Sequence, residues 1–155
     1  MKGVDVVVWL IVVLVLIVLI VLWVLRKRWR RNKAIQILLH HSQRLSDQVM
    51  DAALTSLKIP VQEPLTSKPI TDIWGHGVMA FSYIFPKSFS TIDQHQLADA
   101  LQKAAEELDI ASSDPALPPF VITDYFELEG QQHVDLAFIA NEATIEYVRD
   151  VNRVA

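Results

Sequence analysis

The chain has 155 residues, of which 52% are hydrophobic, with 14 basic residues, 18 acidic residues and no cysteine. That length is one domain's worth of material, minus whatever a membrane takes, and the missing cysteine leaves no thiol nucleophile and fits a reducing compartment. Residues 34–155 hold 7 basic and 17 acidic residues, a net charge of −10, which repels nucleic-acid phosphates and sets nucleic-acid binding aside.

The chain opens on an apolar run. From Val6 to Leu25 all twenty residues are apolar, and at ~1.5 Å per residue such a helix is ~30 Å long, the hydrocarbon thickness of a bilayer. A globular helix of this length carries a polar face, and this one has none. A cleaved leader wants a basic start, a shorter core and small residues before the cut. Here only Lys2 precedes the run, and it ends in Trp-Val-Leu-Arg. The expectation is a retained anchor. Between Val6 and Leu25 there is no Gly, Ala, Ser or Thr for close helix packing, and no ionisable residue for a transport path.

A basic collar spans residues 26–33. Arg26, Lys27, Arg28, Arg30, Arg31 and Lys33 follow the run, whereas Lys2 before it is offset by Asp5. This asymmetry predicts an N-terminus outside and residues 26–155 in the cytoplasm. Trp9 and Trp23 sit near the two ends of the run, and Trp29 lies among the arginines, where amphipathic rings favour the headgroup level. The collar is expected to draw anionic lipid headgroups at ~1 kcal/mol per cation.

Residues 34–58 have a helical period, with Ile35, Leu38, Leu39, Leu45, Val49, Ala52 and Ala53 near one stripe. A seven-residue echo joins Leu38, Leu45 and Ala52, but Ser42 breaks the companion row, so packing on the globular part is expected rather than a coiled coil. Pro60, Pro64 and Pro69 mark residues 59–72 as a linker.

Residues 73–155 read as a small acidic α+β domain in the order β-α-β-β-α. Val78 to Phe85 predicts a strand buried on both faces. A helix follows, with Ser90 as cap, Asp93 completing a capping box, and Leu97, Leu101, Ala104, Ala105 and Leu108 as its apolar face. Residues 120–139 predict an antiparallel hairpin. The row Phe120, Ile122, Phe126, Leu128 is expected to share a face with Val134, Leu136 and Phe138. That demands a loop of three or five residues around Gly130, because a two-residue loop sets the rows on opposite sides. A closing helix begins after Asn141, its expected cap, and buries Ile145, Val148 and Val151.

No phosphate-binding loop, dinucleotide fingerprint, nucleophile elbow or zinc-protease motif is present, and no cofactor is implied. Gly75-His76-Gly77 permits close approach to the backbone, and its plain reading is a loop entering a strand. His40 and His41 point about 100° apart on a helix. His95 and Asp99 are spaced for two metal ligands, with no third to join them. Asp124 interrupts an apolar row near Glu127, Glu129 and Asp135, where a carboxylate must be paired or hydrogen-bonded.

The sequence thus points to a non-enzymatic, membrane-anchored module that docks a protein partner. Its expected docking surfaces are an uncovered sheet face of Val121, Thr123, Tyr125, Ala137 and Ile139, and the long helix after the collar. The alternative is a membrane-tethered enzyme or ligand sensor with a pocket near His76, Asp124 and His133. Homo-oligomerisation through residues 34–57 is compatible with the first.

Overall fold

A computed structural model of the chain describes residues 2–60, 65–70, 77–86, 89 and 92–154, and their side chains except those of residues 2–7, 31, 32 and 154. It divides into two compact units, residues 1–37 and 38–155. Helix α1 spans Lys2–Ser56. By length and composition this helix can cross a membrane, and the described side chains of its apolar stretch are exposed.

The second unit is built on an antiparallel sheet of four strands, β1 (Lys68–Pro69), β2 (Ala80–Pro86), β3 (Phe120–Leu128) and β4 (Gln131–Phe138), in the order β1-β2-β4-β3. Helices α2 (Gln94–Glu107) and α3 (Glu142–Val154) complete it. The expected mixture of helix and sheet is present. The sheet has one strand more than the sequence suggested, because Lys68 and Pro69, inside the expected linker, pair with Ser82 and Phe81. Pro69 lacks an N–H, so it fits only on such an edge.

Two cores lie on opposite faces of the sheet. The larger joins Leu39, Val49, Met50, Ala53 and Leu54 of α1 to the α2 stripe of Leu97, Leu101, Ala104 and Ala105, and to Phe81, Tyr83, Val134, Leu136 and Phe138. The smaller joins Ile145, Tyr147 and Val148 of α3 to Ala80, Ala137 and Ile139. So the stripe after the collar does pack on the sheet. Ser42, which interrupts its heptad echo, is fully buried with Ser46, because a small side chain fits where a helix lies on a sheet. Beside them the Gln43 amide donates to the Ser67 carbonyl at 2.8 Å, and the Tyr83 hydroxyl donates to Asp47 Oδ1 at 2.9 Å. Burial, then the Asp47 charge, pushes the Tyr83 phenol far above its ordinary value.

The helix ends follow local rules. Asp93 caps α2, its side chain accepting from the His95 N–H; the expected cap, Ser90, lies outside the described residues. Asn141 caps α3 as expected. Its Oδ1 accepts from the Thr144 N–H at 2.9 Å, and its amide donates to the Gly77 carbonyl at 2.8 Å. Gly77, at φ +110°, takes a backbone conformation that side chains disfavour, where the chain enters β2. α1 and α2 both stop on a left-handed residue followed by an isoleucine. These pairs are Lys58-Ile59 and Asp109-Ile110, and each isoleucine N–H reaches back five residues, to Leu54 and Ala105.

The hairpin departs most from expectation. Its loop has two residues, Glu129 at φ 52° and Gly130 at φ 75°, a turn whose twist matches the strands. Near the turn Phe126 faces His133 and Tyr125 faces Val134, whereas beyond it Ile122 faces Leu136 and Phe120 faces Phe138. The pairing shifts by one residue between Ile122 and Asp124. Thr123 is therefore the extra residue of a β-bulge, which puts Phe120 and Ile122 back in line with Leu136 and Phe138.

Candidate functional site

The bulge and α3 decide which part of the sheet meets solvent. Ala137 and Ile139 are fully buried in the smaller core, and Val121 packs against it. Tyr125 lies on the other face, against the larger core, and donates its hydroxyl to the Ile92 carbonyl at 2.6 Å. Thr123 sits between Asp135 and Tyr147, donating to the Asp135 carbonyl and accepting from the Tyr147 hydroxyl, each at 3.3 Å. The face expected to be uncovered is therefore covered. The closing helix lies over Val121, Ala137 and Ile139, and the bulge sends Tyr125 to the far side.

What remains open is the turn end of that face. Ile84 is 47% exposed, Phe126 40% and Leu128 52%. They lie in adjacent rows: Ile84 faces His133, which faces Phe126, and Pro86 faces Gln131, which faces Leu128. The Phe126 and His133 rings stack with centroids 4.9 Å apart. The sequence row put Phe126 and Leu128 in the core. The two-residue turn turns them outward. The expectation that Val78 to Phe85 is buried on both faces also fails here, since Ser82, Ile84 and Pro86 are half-buried or exposed while Tyr83 and Phe85 stay inside.

One row inward the face is polar. Asp135 lies opposite Asp124 on β3 and Ser82 on β2. Burial raises the Asp135 carboxyl above its ordinary value, and the Asp124 charge adds to this; the Ser82 hydroxyl and His133 partly offset it. Asp135 Oδ1 is buried without a hydrogen bond. Burial likewise raises the Tyr147 phenol, with Asp135 and Asp124 adding and Thr123 opposing. The structure thus brings Asp124 and His133 onto one face, on neighbouring strands. His76 lies outside the described residues. Among the described residues no three His, Asp or Glu side chains gather as a metal site.

In the first unit the collar is helical. Trp23, Arg26, Lys27, Arg30 and Ala34 line a shallow groove along one helix face, as their spacing requires. Lys27 Nζ lies 5.3 Å from the Trp23 ring and Lys33 Nζ 3.9 Å from the Trp29 ring, which keeps cation and indole at one level along the helix. Trp9, Arg26, Arg28 and Arg30 are exposed; the Arg31 side chain is outside the described set.

Comparison with protein families, with curated proteins and with solved structures finds no match to this chain.

Proposed function

We propose that the protein is a single-pass membrane-anchored interaction module, whose acidic α+β unit works on the cytoplasmic side and docks a protein partner without chemistry of its own. One observation carries the reading: a helix with twenty consecutive apolar residues, exposed at its described side chains, is joined to a unit that closes its own cores. Lipid is the solvent that such an exposed helix requires. The collar supplies the orientation and the contact with anionic headgroups. Tethering then raises the local concentration of the acidic unit beside other membrane proteins. From Leu39 to Leu54 the stripe a homo-oligomer would use packs into the larger core, so a different protein is the favoured partner.

Two measurements test this. Protease added to inside-out vesicles is expected to digest residues 34–155, and added to right-side-out vesicles to spare them; the reverse pattern sinks the orientation. Gentle detergent extraction of the full-length chain is expected to retain a stoichiometric partner that a 1–33 fragment does not. A partnerless full-length protein would shift the reading to a tethered ligand sensor, for which the shared face of Asp124, Asp135 and His133 is the place to look.

A further inference from the structure

We propose that the turn end of the outer sheet face, formed by Ile84, Phe126 and Leu128, is the docking surface, and that its occupant is a segment of another protein carrying both apolar and basic side chains. This rests on the docking-module reading and names its surface and partner chemistry.

The apolar part follows from exposure. Among the described residues of the second unit, large hydrophobic side chains are exposed only at Leu38, Ile84, Leu108, Phe126 and Leu128. Three of these five fall on adjacent rows of one sheet face. Scattered exposed hydrophobics need no explanation, but these three cluster on one face, Ile84 and Phe126 on either side of His133, whose ring stacks on Phe126, and clustered exposed apolar groups mark an interaction site. The patch is three strands wide, ~10 Å, and two rows long, ~7 Å. That matches two or three side chains from one face of a helix or strand.

Charge selects the occupant. From Phe120 to Phe138 the hairpin carries Asp124, Glu127, Glu129 and Asp135 and no lysine or arginine. Asp124 and Asp135 border the patch in the next row, and Glu129 stands at its turn. A second copy docking by the same surface would set these carboxylates against each other. An anionic membrane surface would be repelled in the same way. A basic partner meets attraction and apolar cover together, and the charges give register and encounter rate.

The test is photo-cross-linking in membranes from the cells that encode the protein. The full chain carries the photoreactive p-benzoylphenylalanine in place of Phe126, or in place of Leu108 as a control at the C-terminal cap of α2, in the layer beyond the other sheet face. The expected result is a protein adduct at 126, mapped to a segment with lysines or arginines beside apolar residues. It should fall several-fold as salt is raised to about 0.5 M, where screening is short-ranged. Adding Ile84→Asp and Leu128→Asp should cut it at least tenfold, and circular dichroism checks that this variant folds. An adduct at 126 to a second copy, to lipid or to an acidic segment overturns the proposal. A protein adduct at 108 with none at 126 overturns this surface but leaves the docking module standing. Adducts at neither position, with no co-purifying partner, overturn both.

Discussion

The two halves of the β3–β4 hairpin bury different sets of side chains, although they share strands, sheet and alternation. Beyond the bulge both faces are covered: Phe120 and Leu136 enter the larger core, and Val121 and Ala137 lie at the smaller. Near the turn only one face is covered, so Val134 is buried while Phe126 and Leu128 are exposed. The far half is the more apolar, yet Phe126 and Leu128 are as hydrophobic as Phe120 and Ile122 and still face solvent. What decides their fate is the reach of α3 and the phase of β3, which Thr123 shifts by one residue. A side chain's burial here is set by its register and by what lies above it, and its own hydrophobicity decides neither.

The severest way to break this comparison is to delete Val121 and keep Thr123. One core side chain beyond the bulge must then change face: either Phe120 comes to face Ala137, or the bulge is absorbed and Ile122 does. Withdrawing such a side chain from the larger core costs ~1.5–3 kcal/mol, a large part of a small domain's stability. Deleting Thr123 instead removes only the extra residue, so Ile122 still faces Leu136 and Phe120 still faces Phe138; the loss is that of its two 3.3 Å hydrogen bonds, about 1 kcal/mol. Urea unfolding separates the two variants. If deleting Thr123 costs as much as deleting Val121, Thr123 is not the extra residue of the bulge.

The same hairpin shows how far the sequence could be read. The three longer strands, the helix between β2 and β3, the Asn141 cap and most of the apolar stripe of α1, though not Leu38, were legible, because each is a local period or a local cap. The fate of Phe126 and Leu128 was not. Two errors cancel in the far half, where a two-residue turn and a one-residue bulge together restore the alignment of Phe120 and Ile122 with Leu136 and Phe138. They fail to cancel in the near half. Glu-Gly is a weak turn signal beside Asn-Gly, and Thr123, a strand-favouring residue, gives no local sign of a bulge. Burial of Ala137 and Ile139 was equally hidden, since it depends on where α3 lands. The two-residue strand β1 is too short to carry any period.

A milder perturbation sharpens the contrast at the border between the halves. Asp135 faces Asp124, and like charges directly opposite destabilise a sheet. Because its folded-state carboxyl is raised, the folded protein binds that proton more tightly than the unfolded chain. This contribution to stability is therefore full below the ordinary carboxylate range and is lost as pH rises through the raised value. Asp135→Asn removes the loss, so it should stabilise at neutral pH on the ~0.2–1 kcal/mol scale of cross-strand pairs. The gain should fade toward pH 3. Thermal melts from pH 3 to 8 check the sign. A variant less stable than the parent at pH 7 would show that the carboxylate makes a contact worth more than its burial and repulsion cost.

The smallest expected effect lies at the turn itself. Glu129 holds φ at 52°, in the left-handed region, and Gly130 follows at 75°. Both central positions of such a turn require positive φ, which glycine takes freely and asparagine tolerates better than glutamate. Glu129→Asn should thus stabilise the hairpin by about 0.5 kcal/mol through backbone preference alone. It also removes one carboxylate beside the exposed half without touching the covered half. Hydrogen exchange distinguishes this from a general effect: the slowing should be confined to amides of residues 125–134 and fade beyond Thr123. A slowing that extends equally to Phe120 and Phe138 would mean that the bulge does not divide the hairpin and that the two halves open as one.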